Sequence, residues 1–333
     1  MTKRFNRIFL FVGIILLLLL FRFFGIGKTL GYIQEMGWKF GIILLVCFVN
    51  NTFLTGAWMA VINKPLRWIH YFSLLLARIA GDATSSINTL GSLAGEPIKA
   101  LYVRDIIPFR TGLASVVLDR TIHTVASILV ILTGVCVSFF VLNLPSVVTI
   151  ASLVLVLAAL FGMVILLKKQ SQGLVNFFLQ YLPGFIRERF MQGERAERIK
   201  KLDDEISEIF LTRQKRARFY LSLVIHYLST LATQALEIYC IVVFVQPGVG
   251  FGVIDAVFVY IFGFVLTSAM FFMPANVGTS EGSYSLALGL LGYDPALGFS
   301  VGIIRRLRSF VWSAIGVLLL LHAGLLKSSR RKE

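Results

Sequence analysis

Two glutamates and two arginines recur at a single spacing within an otherwise apolar sequence. Glu96 lies 24 residues before Arg120, and Glu281 lies 24 residues before Arg305. Each glutamate follows a turn-rich stretch of small residues, and each arginine lies inside an apolar segment. A charge at membrane depth costs about 2.5–3.5 kcal/mol on insertion scales, so it is retained where it has a role or a partner. These four residues are therefore the first candidates for function.

Arginine in such a setting favours the binding of an anion rather than a covalent reaction. Its planar fork of donors binds two oxygens at once and stays charged at any working pH. Breaks in the helices add backbone N–H groups that also attract anions. We therefore expect Arg305 to contact an anionic group, with Arg308, one turn on, as the second contact. Arg306 lies about 100° around the helix and ranks lower; an ion pair with Glu281 or Asp294 would neutralise one arginine.

Four further positions carry alternatives that the sequence leaves open. Asn88 and Asn276 are expected to cap or tie the breaks in the helices. Glu237, deep in an apolar segment, is either a proton-coupling carboxylate or the partner of an arginine. Arg120 has a structural alternative, since the apolar residues that follow it are long enough to span alone and leave its side chain at the inner headgroups.

Two local ion pairs are also expected. Arg78 and Asp82 are four residues apart, which places them on one helical face where they can pair. Asp119 precedes Arg120 directly and is expected to neutralise it. His123 is interpreted as a hydrogen-bonded interior histidine.

The elements that carry these residues are membrane helices. Hydrophobic residues make up 57% of the 333-residue chain and its mean hydropathy is +0.83. Apolar runs of about 20 residues, enough to cross the hydrocarbon layer, recur along it. The pattern predicts an all-α polytopic membrane protein with about six full spans and two re-entrant broken hairpins, or eight segments if each hairpin spans. The predicted spans cover 8–24, 38–61, 111–142, 147–167, 219–245 and 296–326, and the hairpins 68–110 and 250–292.

The charge distribution predicts how the chain is oriented. The net charge is +15, and the basic residues collect in alternate connections, above all in the loop 168–218. This positive-inside asymmetry places both termini and that loop in the cytoplasm, and the protein in the cytoplasmic membrane. The loop is expected to lie as an amphipathic helix on the anionic inner surface or to pack as a connector. Nucleic-acid binding has no supporting motif, and no cofactor or metal site is predicted.

The chain then divides into five parts. They are a pair of spans (1–62), a first repeat (63–167), the cytoplasmic loop (168–218), a second repeat (219–327) and a basic tail (328–333). The two repeats share five identities between 96–120 and 281–305 and the order of broken hairpin and long helix. The orientation makes them opposite in sense. Inverted repeats with interrupted helices are typical of secondary transporters.

Four motifs carry a resemblance to a known family. They are INTLGSLAGEPIKALYVRD with VVLDR in the first half and MPANVGTSEGSYSLALGLLG with IIRRLRSFVW in the second. In these the chain resembles the flippase-like, or lysylphosphatidylglycerol synthase transmembrane-region, family. Its members include the membrane domain of the multiple peptide resistance factor and hopanoid-associated relatives. In that factor a soluble domain transfers lysine from tRNA; this chain ends at Glu333, so that activity is not expected.

The resemblance implies movement of a lipid between leaflets, with the hairpin glutamates and arginines as functional residues. The lipid partner would be an anionic phospholipid or a polyprenyl-linked or hopanoid-type lipid. The chain could also assemble as an oligomer. One alternative is a membrane enzyme that uses Glu96 or Glu281 as an acid or base. It lacks a metal cluster, a nucleophile motif and a phosphate-binding glycine signature. The other is an accessory scaffold of an envelope-lipid synthesis complex.

Overall fold

The computed structural model describes residues 31–32, 34–62, 66–87, 95–141, 213–270, 273 and 276–330, together with scattered positions between 154 and 204. These residues lie in helices and turns, and none of them lies in a strand. The all-helical fold class is therefore confirmed for this part of the chain. The predicted span 8–24 and most of 147–167 and of the loop 168–218 fall outside the described residues.

The described helices fall into two groups along the chain, one before and one after residues 142–212. A 3₁₀ turn (Gly37–Lys39) leads into α1 (Phe40–Val61), followed by α2 (His70–Ile87), α3 (Glu96–Tyr102) and α4 (Phe109–Val141). After the loop come α5 (Arg213–Val245), α6 (Val253–Ala269), α7 (Thr279–Leu290) and α8 (Pro295–Arg330). In each half an arm helix is followed along the chain by a short helix and then by a long helix.

Three described helices are long and apolar enough to cross a membrane. They cover Gln34–Val61, Phe109–Ser138 and Arg216–Val245, and α6 is a shorter apolar helix. These three coincide with the predicted spans 38–61, 111–142 and 219–245, because an uninterrupted apolar run is visible in the sequence itself. The total of six spans and the re-entrant course of the hairpins stay predictions.

The helices α1 and α5 run antiparallel to each other. Lys39, before α1, donates to the Phe244 carbonyl near the end of α5 over 3.4 Å. Midway along both helices the Asn50 side-chain oxygen accepts from the Ser229 and Thr233 hydroxyls, each over 3.0 Å. Trp58, near the end of α1, shares a buried cluster with residues from the start of α5. The helix that precedes the first hairpin (α1) therefore packs head to tail against the helix that precedes the second hairpin (α5).

The arm helix of each half also packs against the long helix of the other half. The arm helix α2 packs on the long helix α8, and the arm helix α6 packs on the long helix α4. A glycine lies at each crossing. A Cβ on Gly316 would lie 2.6 Å from the Ile79 carbonyl oxygen, and a Cβ on Gly134 would overlap the Ile261 side chain. Because no side chain separates them, the helices approach closely at both places.

Candidate functional site

Three arginines of α8 meet two glutamates from other helices in the second half. Glu237 comes from α5 and Glu281 from the first turn of α7, and both are almost completely buried. The side chains of Arg305, Arg306 and Arg308 are 12–15% exposed. These five residues are called the arginine cluster below. The sequence predicts a carboxylate partner for one of the three arginines, whereas in the structure each of the three lies against a carboxylate.

Glu237 is shared by two of the arginines. Its Oε2 lies 3.4 Å from Arg305 Nη1 and accepts a hydrogen bond from Arg308 Nη1. Arg305 also donates to Gln234 Oε1 over 2.5 Å and lies over the Tyr284 ring, 5.2 Å from its centroid. The sequence leaves two roles open for Glu237, a proton-coupling carboxylate or the partner of an arginine. In the structure Glu237 is the partner of two arginines.

Glu281 binds the third arginine and the start of its own helix. Arg306 Nε donates to Glu281 Oε1 over 2.5 Å. The other oxygen, Oε2, accepts from the Gly278 backbone N–H at 3.0 Å and from the Ser280 hydroxyl at 2.9 Å. A carboxylate that accepts from the N-cap N–H in this way stabilises the first turn of a helix. Gly278 has φ +78°, a conformation that glycine adopts without strain.

Arg306 completes this arrangement from α8. Its Nη2 donates to the Asn276 carbonyl oxygen at 3.1 Å and to the Ser280 hydroxyl at 3.2 Å. Asn276 therefore takes part through its backbone, at φ 50°. Close packing makes these contacts possible, since a Cβ on Gly302 would lie 2.7 Å from the Glu281 Cα. Arg306, ranked lowest in the sequence analysis, has the most complete set of partners.

The cluster has an excess of positive charge and of donors. Three guanidinium groups face two carboxylates, which leaves one positive charge among these five residues. Three buried donors, Arg305 Nη1, Arg308 Nε and Trp312 Nε1, and one buried acceptor, Glu237 Oε1, have no hydrogen-bond partner among the described residues. The three donors stand at positions i, i+3 and i+7 of α8 and so share one face. The Trp312 ring stacks on Phe48 of α1, with centroids 6.1 Å apart.

The three donors on this face of α8 could bind an anion. A buried donor without an acceptor costs about 1–3 kcal/mol, and more when it is charged. An oxyanion placed along this face would supply the missing acceptors and neutralise the surplus charge. In the described part of the chain no group of three metal-ligating side chains is found.

The first half has a different arrangement at the equivalent positions. Glu96, at the first turn of α3, lies 3.5 Å from Lys99 Nζ, and Asp82 of α2 lies 2.9 Å from the same atom. Arg120 is half-buried. Asn88 lies outside the described residues. Lys99 is not among the residues predicted from the sequence, although its spacing of three residues from Glu96 is the local signal of such a pair.

Two predicted local ion pairs differ from the observed ones. Arg78 Nη2 donates to Asp119 Oδ2 across 2.8 Å, and Asp82 pairs with Lys99. Asp119 therefore neutralises a residue of another helix rather than Arg120, its neighbour in sequence. Sequence spacing indicates only partners on the same helix. The partner of Arg78 lies on another helix, α4, and is determined by how α2 and α4 pack against each other.

A hydrogen bond ties the start of α6 to the turn before α8. Tyr293 donates to Asp255 Oδ2 at 2.9 Å, and that oxygen also accepts from the Gly252 N–H at 3.0 Å. Removal from water and the hydrogen bond to Asp255 raise the pKa of Tyr293 to about 12. The phenol therefore keeps its proton across the physiological range. Asp294, one of the two predicted partners for an arginine, caps α8 by accepting from the Ala296 N–H at 3.0 Å.

A family comparison covers both halves of this arrangement. The model of the family described as the lysylphosphatidylglycerol synthase TM region matches residues 7–316. No curated protein and no solved structure is detectably similar to the chain. The match extends over both hairpins and the whole arginine cluster, and it indicates a function connected with membrane lipids. The chain therefore belongs to the lysylphosphatidylglycerol synthase TM region family.

Proposed function

We propose that the protein moves a lipid with an anionic headgroup between the leaflets of the cytoplasmic membrane, without changing it chemically. The observation that carries this proposal is the surplus of one positive charge in the arginine cluster, together with three buried N–H donors on one face of α8 that have no hydrogen-bond acceptor among the described residues. An anion that neutralises this charge must enter the interior of the helix bundle. A lipid headgroup, already anchored at the membrane surface, is the anion best placed to do so.

The architecture supports movement rather than static binding. The short helices α3 and α7 have 7 and 12 residues, about 10 and 18 Å at 1.5 Å per residue. Neither can cross a hydrocarbon layer of about 30 Å. Short helices and breaks of this kind, in two halves of opposite sense, are the usual build of transporters in which one half moves against the other. The antiparallel pairing of α1 with α5 fits such an inverted relation.

The direct test is the rate at which the Arg305→Ala variant moves a labelled anionic phospholipid between the leaflets of reconstituted vesicles. Hydrogen bonds to charged groups contribute about 1.5–3 kcal/mol, so the rate should fall about tenfold or more. The variant should still fold, because Glu237 keeps Arg308 as a partner. Arg305→Lys keeps the charge but loses the two-pronged donor and should also be impaired.

The matched control is Arg104→Ala, which removes a half-exposed arginine outside the cluster. It should move lipid at the wild-type rate. Wild-type movement by Arg305→Ala would refute the assignment. The second candidate function is a lipid-modifying enzyme with Glu96 or Glu281 as acid or base. The mass of the lipid recovered from the vesicles tests it. A changed mass would favour that enzyme, and neither movement nor modification would favour a scaffold.

A further inference from the structure

One oxygen of the buried glutamate Glu237 has no hydrogen-bond donor among the described residues. Glu237 is 1% exposed. Both of its arginine partners approach the same oxygen, Oε2: Arg308 Nη1 donates to it, and Arg305 Nη1 lies 3.4 Å away. The other oxygen, Oε1, is buried without a donor, although Arg305 Nη1 and Arg308 Nε lack acceptors close by. A ligand at this place therefore meets an acceptor as well as the donors of α8.

This acceptor restricts which ligand fits. An ionised carboxylate only accepts hydrogen bonds. A phosphate diester also has only acceptors, so it would satisfy the N–H groups of α8 and still leave Glu237 Oε1 without a donor. A site that is built to bind a hydroxyl or an N–H group rejects an analogue without it, because the polar atoms of the site are then left unpaired. The ligand that satisfies both sets of atoms has an oxyanion and, next to it, a hydrogen-bond donor.

The charge of the arginine cluster distinguishes between the two donors that lipid headgroups carry, a hydroxyl group and an ammonium group. Three guanidinium groups and two carboxylates leave one positive charge. A phosphate diester, with its single negative charge, neutralises it. A headgroup with a phosphate and an ammonium group has no net charge, so the surplus charge would remain buried and uncompensated, which is unfavourable. The charge balance therefore favours a hydroxyl group as the donor.

A carboxylate of the first half does not change this balance. Asp82 of α2 is within electrostatic range of Cys47 on α1, as are Arg308 and Glu237. However, Asp82 lies 2.9 Å from Lys99 Nζ, so it already has an ion-pair partner. The positive charge of the arginine cluster therefore remains.

The arginines lie nearer to the surface of the helix bundle than Glu237 does. The side chains of Arg305 and Arg308 are partly exposed, whereas that of Glu237 is not. A headgroup that enters from this surface would meet the guanidinium groups first and the carboxylate after them. In a phospholipid the hydroxyl groups of the headgroup lie beyond the phosphate, as seen from the acyl chains. The order of groups in the lipid therefore matches the order of groups in the protein.

We infer that the lipid is a phosphodiester whose headgroup carries a hydroxyl group, such as a polyol or a sugar, and that Glu237 Oε1 accepts the hydrogen bond of this hydroxyl. The inference rests on the proposed function, since it specifies the headgroup that the same site binds. Glu237 then has two roles. Its Oε2 holds Arg305 and Arg308, and its Oε1 selects the headgroup.

Competition between two lipids for the wild-type protein, read by native mass spectrometry, tests the hydroxyl group. Phosphatidylglycerol and phosphatidylpropanol carry the same charge and differ only in two hydroxyl groups of the headgroup. We expect phosphatidylglycerol to bind about tenfold more tightly, which is the effect of one hydrogen bond to a charged group. Equal binding of the two lipids would overturn the inference.

Two further lipids separate this inference from the proposed function. Phosphatidylethanolamine, which has an ammonium group, should bind more weakly than either anionic lipid. If it binds as tightly as phosphatidylglycerol, the donor is not specifically a hydroxyl group and the inference is overturned. If the two anionic lipids bind equally but more tightly than phosphatidylcholine, the inference fails and the anion site stands. If neither anionic lipid binds more tightly than phosphatidylcholine, the proposed function itself is refuted.

The Glu237→Gln variant tests the residue. Arg305 and Arg308 would hold the amide oxygen, which leaves the amide NH2 group at the place of Oε1, where it cannot accept a hydrogen bond. This variant should bind phosphatidylglycerol and phosphatidylpropanol equally. The matched control is Glu35→Gln, which changes an exposed glutamate outside the cluster and should keep the preference. A preference that survives in Glu237→Gln would overturn the role of Oε1, and the comparison of lipids on the wild-type protein decides the question should this variant fail to fold.

Discussion

At the scale of single residues, three arginines within one turn of α8 differ in the groups that bind them, because they face different partners. Arg306 is enclosed by a carboxylate, a hydroxyl and a carbonyl from the start of α7. Arg305 and Arg308 share a single carboxylate, and each keeps one N–H donor that has no hydrogen-bond acceptor among the described residues. We therefore interpret Arg306 with Glu281 as a structural pair, and the other two arginines as the ligands of an anion.

Glu281→Gln tests this division of roles. The change leaves Arg306 without a charged partner and weakens the cap of α7, so we expect a loss of about 3–5 kcal/mol in stability. Thermal unfolding in detergent measures it. The double variant Glu281→Gln with Arg306→Gln should recover part of the loss, because it removes the unpaired charge. A single variant as stable as wild type would show that the pair does not support the fold.

Trp312→Phe tests the third donor of the row. Phenylalanine keeps an aromatic ring for stacking on Phe48 but has no N–H. A net hydrogen bond contributes about 1 kcal/mol, so the affinity for an anionic lipid should fall about fivefold with stability unchanged. Competition between lipids, read by native mass spectrometry, measures the affinity. Trp38→Phe is the matched control, since Trp38 is 82% exposed. Equal affinity of both variants would exclude Trp312 from the site.

At the scale of helices, glycines set how closely the two halves approach. Gly316 faces Ile79 and Ala83 of α2, and an added methyl group would collide with backbone. Gly316→Ala should therefore destabilise the protein by about 1–3 kcal/mol. Gly56→Ala is the matched control, because nothing lies within 4 Å of a Cβ at Gly56. It should be neutral or stabilise α1 by up to about 1 kcal/mol. Equal melting temperatures for the two variants would show that the helices can separate at no cost.

The same scale shows what could be predicted from sequence. A long apolar run is a property of consecutive residues, so α1, α4 and α5 were predicted within a few residues of their ends. The partner of Arg78 depends on how two helices rotate against each other, and sequence spacing indicated Asp82 where packing selects Asp119. The close approach of the His226 ring on α5 to Asp119 on α4, at 3.3 Å, was not predicted either, because a single histidine in an apolar segment gives no local signal of a neighbour on another helix.

At the scale of the whole molecule, the two halves share an architecture but differ in charge. In the first half Glu96 is balanced by Lys99 three residues later. In the second half Tyr284 occupies the equivalent position and lies against Arg305 instead. The second half alone therefore presents a cationic row on its long helix among the described residues. An inverted repeat with unequal charge would hold an anionic headgroup more tightly from one side of the membrane than from the other.

Single-cysteine labelling tests the inverted arrangement itself. In a background with Cys47, Cys136 and Cys240 replaced by alanine, we place cysteine at Asp105, Pro247 and Pro295, which are exposed in turns or at a helix start. Asp105 follows the first hairpin, whereas Pro247 and Pro295 flank the second. A membrane-impermeant maleimide should reach position 105 only from the cytoplasmic side, and positions 247 and 295 only from the outside.

Each alternative topology gives a different labelling pattern. Should α6 and α7 together span the membrane, positions 247 and 295 would be labelled from opposite sides. Should the halves have the same sense, positions 105 and 295 would be labelled from one side. We predict the inverted pattern from helix length, because α7 alone is too short to cross and is expected to return the chain to the side from which α6 entered. In that arrangement Arg305, about ten residues into α8, lies within reach of a headgroup in the outer leaflet.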